Sequence, residues 1–178
     1  MSDQFEALAR TEGPRLLNYF ARRAEPSDSA DLLADVLLVA WRRRKSIPVD
    51  ETAARMWLYG VARKTLANHR RSRIRYDALA SRLRGEVKVT PNGPDAEDDR
   101  ALALDLLELV SPKDREILML VYWDGFALNE VARLLHRNPS TIRARHARAL
   151  TKLRSVIEVG SPDVPAHPRD NSNWALGR

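Results

Sequence analysis

The chain of 178 residues contains no cysteine. Disulfides, thiol nucleophiles and cysteine-ligated zinc are thereby excluded. Glycine is scarce, with seven residues, and aromatic residues make up only 6%. No apolar run approaches the roughly 20 residues that span a bilayer, so no membrane role is expected. The opening MSDQFEALAR is acidic and polar, unlike a signal peptide, and a cytoplasmic protein is expected. From Arg63 to Arg75 there is no acidic residue. His69, His136, His146 and His167 share no metal-ligand spacing, and no glycine-rich phosphate loop or nucleophile–base pairing occurs. No metal, cofactor or catalytic residue is therefore expected, and an enzyme is the least favoured class.

What is present is alanine, leucine and arginine, a composition that favours helices. The net charge is +6, which points to a polyanionic partner once the charge is found to cluster. Residues 3–24 carry apolar residues at helical spacing, and Gly13-Pro14 predicts a kink or a break there. Pro26 and the Ser/Asp cluster at 27–29 start a second helix, with Leu32, Leu33, Val36, Leu37, Ala40 and Trp41 on its apolar side. Asp50 or Thr52 opens a third. Its first half carries Trp57, Leu58, Val61, Ala62 and Leu66, and Arg63, Lys64, Arg70, Arg71, Arg73 and Arg75 crowd the stretch from 63 to 75. Trp57 reads as core, while Tyr59 is left open.

The pattern breaks at GEVKVTPNGPDAEDD (85–99), a linker by composition whose acids Glu97, Asp98 and Asp99 read as solvated. Apolar periodicity resumes at Ala101. SPKD (111–114) starts a helix, with Ser111 as cap, and Asp124-Gly125 stops it. A short helix over 128–135 follows. Asn138-Pro139 then opens a helix running to about Val156. The tail, polar and proline-bearing with an isolated Trp174, is expected to be disordered. The expected architecture is all-α: two small helical domains, 1–75 and 101–158, joined by a flexible linker over 76–100, with a tail from 159.

NPSTIRARHARAL (138–150) separates into two faces on a 3.6-residue wheel. Ile142, His146, Ala149, Leu150 and Leu153 share one side. Ser140, Arg143, Ala144, Ala147, Arg148 and Thr151 share the other, with Arg145 and Lys152 flanking. Small side chains between arginines suit a DNA major groove: alanines allow close approach, and arginines reach guanine edges or phosphates. The short helix, the turn and this long helix form a helix-turn-helix, with Ala132 small where the helices cross.

Two segments then resemble the extracytoplasmic-function class of bacterial RNA polymerase sigma factors. SADLLADVLLVAWRR followed by RMWLYGVARKTLANHRRSR is similar to that family's core-binding helix and promoter −10 helix. LVSPKDREILMLVYWDGFALNEVARLLHRNPSTIRARHARALTKLR is similar to its −35-reading domain. The resemblance implies a factor that binds core RNA polymerase and directs promoter recognition, leaving bond chemistry to the polymerase. It implies −35 contacts at Ser140, Arg143, Ala144, Arg145, Ala147, Arg148 and Lys152. On the melted −10 strand it implies Arg63, Lys64, Asn68, His69, Arg70, Arg71 and Arg73, with the loop 48–55 receiving an unstacked base. Asp31, Asp35 and Leu38 would face polymerase, and an anti-sigma protein is a further partner by resemblance. Lys64 stands where the family has asparagine, Ala34 where glutamine is common, Ala127 where serine caps a helix, and His146 where an aliphatic packs. The competing readings are a stand-alone helix-turn-helix regulator, which needs neither the 31/35/38 face nor the basic third helix, and an adaptor without DNA activity, which leaves the cationic 143–154 face unexplained.

Overall fold

A computed structural model describes residues 2–84 and 105–160, with side chains over 3–76 and 105–157. The linker segment 85–99, residues 101–104 and the tail with Trp174 lie outside the described residues. No strand occurs among the described residues.

Helix α1, Ser2–Ala21, contains Pro14 and runs unbroken. The predicted break does not occur, for a reason of magnitude. An internal proline costs about 3 kcal/mol. Leu8 on one side of it and Leu16, Tyr19 and Phe20 on the other are all buried, and each such side chain is worth about 1.5–3 kcal/mol. Packing on both flanks keeps the helix continuous.

A 3₁₀ turn at Pro26–Asp28 leads into α2, Ser29–Arg42, which buries Leu32, Val36 and Ala40 against α1 and α3. The Asp50 carboxylate accepts the Ala53 amide at 2.8 Å and so caps α3. Helix α3 spans Glu51–Arg84, 34 residues, about 51 Å of rise. It continues through residues 76–84, where alanine, leucine and arginine sustain the helix.

After a helical stretch at 105–108 come α4, Pro112–Tyr122, α5, Leu128–Leu134, and α6, Pro139–Gly160. Ser111 caps α4 by accepting the Asp114 amide, as SPKD predicts. Asn138 Oδ1 accepts the Ser140 amide at 2.9 Å at the start of α6. The corner of the helix-turn-helix closes with the Arg137 amide on the Ala132 carbonyl (2.9 Å) and the His136 amide on the Arg133 carbonyl (3.1 Å). This is a Schellman closure. It places His136 at φ 51°, a left-handed position that usually takes glycine.

Among the described residues, two apolar clusters form. One joins Leu107, Val110, Leu118, Met119 and Ala149 beneath α6. The other is continuous across both halves, from Leu16, Val36 and Leu58 to Ile117, Leu120 and Val131. The two helical units are therefore packed together.

Candidate nucleic-acid interfaces

Helix α6 fulfils the wheel. Ile142 and Ala149 are buried, and His146, Leu150 and Leu153 are half-buried. Ser140, Arg143, Ala144, Ala147, Arg148 and Lys152 are exposed. Ala132, on α5, is 1% exposed, and α5 packs against α6. The outward face is a row of small residues set between two arginines, the geometry that a groove floor accepts. Arg145 is placed differently. Its Nε donates to Asp114 Oδ1 at 2.7 Å, which ties α6 to the start of α4. Partial burial alone would raise the Asp114 carboxyl. Hydrogen bonds from Arg145 and Ser111 and the nearby Arg145 and Arg148 charges outweigh it and hold the group below the usual carboxylate range. His146 stacks on Tyr122 with ring centroids 5.7 Å apart, and its Nε2 lies 3.2 Å from the Tyr122 hydroxyl. Loss of solvent pushes its imidazole pKa down.

On α3, Lys64, Asn68, Arg70, Arg71, Arg73 and Arg75 are exposed, and Arg63 and His69 are half-buried. These side chains are not equally available. Arg73 lies 3.3 Å from Asp28 and 3.6 Å from Glu25, and His69 Nε2 lies 3.0 Å from Asp28. Arg70 donates to the Arg23 carbonyl at 2.7 Å, and Arg71 donates to Asn68. Arg63 Nη1 donates to the Leu134 carbonyl at 2.6 Å, reaching the second unit. Exposed Lys64 and Arg75 complete the basic strip. Trp57 is half-buried against the core, as expected. Tyr59 is wholly buried, in edge contact with Tyr19 (5.5 Å) and Phe126 (4.8 Å), so it belongs to the core. Burial, followed by the Asp124 charge, pushes its hydroxyl up to about 12. A groove of about 800 Å³ runs between the loop at Asp50–Thr52, the Trp57–Lys64 side of α3, and Arg133, Leu134 and His136 of the second unit.

On α2, Asp31, Asp35 and Leu38 are exposed together, with Leu38 at 46%. Trp41 extends this face, in edge contact with Phe5 and under the Arg44 guanidinium.

Sequence reasoning missed one constellation. Asp124, read only as part of a helix stop, is 4% exposed. Its carboxylate takes Arg22 on one oxygen and Arg23 on the other, both at 2.7 Å, and Arg23 also meets Glu116 at 3.0 Å. Arg55 donates to the Asp124 carbonyl and stacks over Phe126. Burial alone would lower the Arg23 pKa; Glu116, Tyr19 and Asp124 together outweigh it and keep the group raised. The partners lie about a hundred positions apart, and no periodicity in the sequence links them.

Residues 100–153 match the family model described as Sigma-70, region 4. Over 168 residues the chain is 29% identical to an RNA polymerase sigma-E factor of Streptomyces avermitilis, covering 94% of this chain and 92% of that one. It is 26% identical over 136 residues to the ECF RNA polymerase sigma factor SigL of Mycobacterium tuberculosis, covering 75% of this chain and 77% of that one. Among solved structures, its fold is similar to the sigma factor RpoE of Bartonella quintana in complex with the anti-sigma factor NepR. There the TM-score is 0.68 and the identity 22%, over 89% of this chain and 99% of that one. CnrH in complex with the cytosolic domain of CnrY gives a TM-score of 0.62 at 18% identity, over 90% of this chain and 92% of that one. With an outward cationic helix-turn-helix and a basic third helix in place, residues 100–153 carry a sigma-70 region 4 domain, and over most of its length the chain is similar to RNA polymerase sigma factors, extracytoplasmic-function members among them.

Proposed function

We propose that the chain binds core RNA polymerase and directs it to promoters, acting in the cytoplasm and leaving bond chemistry to the polymerase. The observation that carries this reading is the exposed Arg143/Ala144/Ala147/Arg148 face on the helix that closes the region matched by the sigma model. In this reading residues 101–158 are the −35 domain. Arg143 and Arg148 reach base edges or phosphates, Ala144 and Ala147 admit the groove wall, and Ser140, Arg145 and Lys152 meet the backbone. Residues 1–75 hold core polymerase through Asp31, Asp35 and Leu38. They also engage the melted −10 strand through Arg63, Lys64, Asn68, His69, Arg70, Arg71 and Arg73, while the groove beside Asp50 and Thr52 receives an unstacked base. Binding the exposed strand offsets a stacking cost of about 1.4 kcal/mol per base-pair step. The two solved complexes named above support an anti-sigma protein as a further partner.

The test is to add purified chain to core polymerase on fragmented genomic DNA and sequence the transcript starts. Specific starts are expected with both components, and weak DNA binding by the chain alone. Tight operator binding without polymerase would favour the stand-alone regulator instead.

A further inference from the structure

A cavity of about 350 Å³ lies beside the turn that follows α4. Arg15 and Arg22 of α1, Arg55 and Tyr59 of α3, and Trp123 and Asp124 of the turn line it. No residue read above as a DNA or polymerase contact is among its walls. Its volume is at the low end of small-molecule sites, which suits a metabolite rather than a strand or a protein segment. Two of its polar groups are buried without a hydrogen-bond partner. They are Nε of Arg22, whose side chain is 8% exposed, and the hydroxyl of Tyr59, which is 0% exposed. Buried groups of this kind are nearly always satisfied. Tyr19 and Phe126 hold the Tyr59 ring edge-on, which fixes where the hydroxyl sits. Burial raises the pKa of that hydroxyl, so it remains a donor at neutral pH. Arg55 Nε and Glu12 Oε2, 3.4 Å apart, meet by charge without a hydrogen bond. The charges here do not cancel. Arg15, Arg22, Arg23 and Arg55 share the carboxylates of Glu12, Glu116 and Asp124, which leaves positive charge in excess. Ordered water satisfies hydrogen bonds but leaves that charge. An anion answers both.

We propose that this cavity binds the phosphate group of a small metabolite, with Arg22, Tyr59 and the more exposed Arg15 and Arg55 as its donors. Guanidinium groups are the side chains best matched to phosphate oxygens, through charge-assisted and often paired hydrogen bonds. The Asp124 carboxylate does not fill the site, because its two oxygens are already taken by Arg22 and Arg23. Trp123, 36% exposed, adds an indole on which a nucleobase can stack. Phosphate is the chemistry shared by a free diphosphate and a nucleotide, and the base alone separates the two. The site stands whether or not the chain directs polymerase, since it shares no wall with the DNA-facing surfaces.

Isothermal titration of the full chain with inorganic phosphate, pyrophosphate and ADP, at fixed ionic strength, tests the site. One-to-one binding of pyrophosphate or ADP is expected. Tighter binding of ADP identifies a nucleotide held partly by Trp123; pyrophosphate binding as tightly or more so identifies the free anion. Tyr59→Phe keeps the ring packing and removes only the hydroxyl, and Arg15→Gln changes an exposed side chain. Each should weaken binding about tenfold, the loss of one charge-assisted hydrogen bond. Without ligand, Tyr59→Phe should not lower the melting temperature, because no hydrogen bond within the fold is lost. A lowered one would show that the hydroxyl already serves the fold, and would count against the site. If Tyr59→Phe does not fold, Arg15→Gln carries the test. Arg148→Ala, on the outer face of α6, controls for binding to exposed cations and should leave the affinity as it was. No saturable binding of any of the three anions would overturn the proposal. So would a folded Tyr59→Phe or Arg15→Gln that binds within about twofold of the parent chain, or an equal loss in Arg148→Ala.

Discussion

His146 occupies the packed side of α6, half-buried against Tyr122. Its pKa is pushed below the ordinary 6.5 by desolvation, so the folded state binds a proton less readily than the unfolded chain does. The stability this residue contributes is thus fully present above about pH 6.5 and is lost as pH falls toward the depressed value. Denaturation midpoints measured from pH 8 to 5 should fall at the acid end, and His146→Leu should flatten that part of the profile. An unchanged slope in the variant would remove His146 as the cause. The Asp114–Arg145 pair titrates in a separate, more acid window. Its carboxyl is held below the ordinary 3.8, so that contribution is full above that value and is lost as pH falls through the lowered one. On the opposite face, Arg143→Ala and Arg148→Ala should each lower −35-dependent transcription about 5- to 150-fold, the equivalent of a 1–3 kcal/mol base contact. Unchanged promoter use in both would refute the face. These two arginines were legible because a 3.6-residue period divides in from out. The tie of Arg145 to Asp114 was not, because its partner lies on another helix, 31 positions away.

At the scale of elements, α5 carries two local defects. Ala127 stands at its N-cap, where a side-chain acceptor is missing, although Glu130 still reaches back to the Ala127 amide at 2.8 Å. Ala127→Ser restores the other half of the box and should raise stability by about 1 kcal/mol. At the other end His136 holds a left-handed conformation, which costs a side-chain-bearing residue about 1–2 kcal/mol. His136→Gly should recover part of that cost in urea denaturation. No gain in either variant would mean that packing of the buried Phe126 and half-buried Leu128 already fixes the helix. Local chemistry of this kind is what a sequence shows best: the Ser111 and Asn138 caps and the Asp124-Gly125 stop were all visible in it. The unbroken α1 was not, since tertiary burial on both sides of Pro14 overrides the local signal. The outer face of α2 is a further element-scale expectation. Leu38→Ala or Asp35→Ala should weaken core-polymerase affinity by about 1–3 kcal/mol, the range of an interface anchor. DNA binding by α6 should be unaffected, and an unaltered core affinity would count against that face.

At the scale of the whole molecule, the all-α class and the division into two helical units follow from periodicity and from the break in pattern at 85–99. How the units meet could not be read. Composition and spacing describe each helix against its neighbours in sequence, whereas the seam joins Arg22 and Arg23 to Asp124 across most of the chain. Its apolar part, Tyr59 against Phe126, looks in sequence like two unrelated core residues. Because the larger core cluster runs through both units, the folded chain should behave as one cooperative body. Urea unfolding followed by fluorescence from the single tryptophan retained at Trp57 in the first unit, or at Trp123 in the second, should give coincident transitions. Asp124→Ala leaves two buried guanidinium groups without their carboxylate, a loss of about 3–5 kcal/mol when one partner of a buried pair is removed. Parting the seam relieves that penalty by returning both arginines to water, so the variant should open rather than unfold. Its two probes should then report separate midpoints, each unit melting on its own. Coincident transitions that simply move to lower urea would show instead that the units cannot stand apart, and the seam would be a structural core.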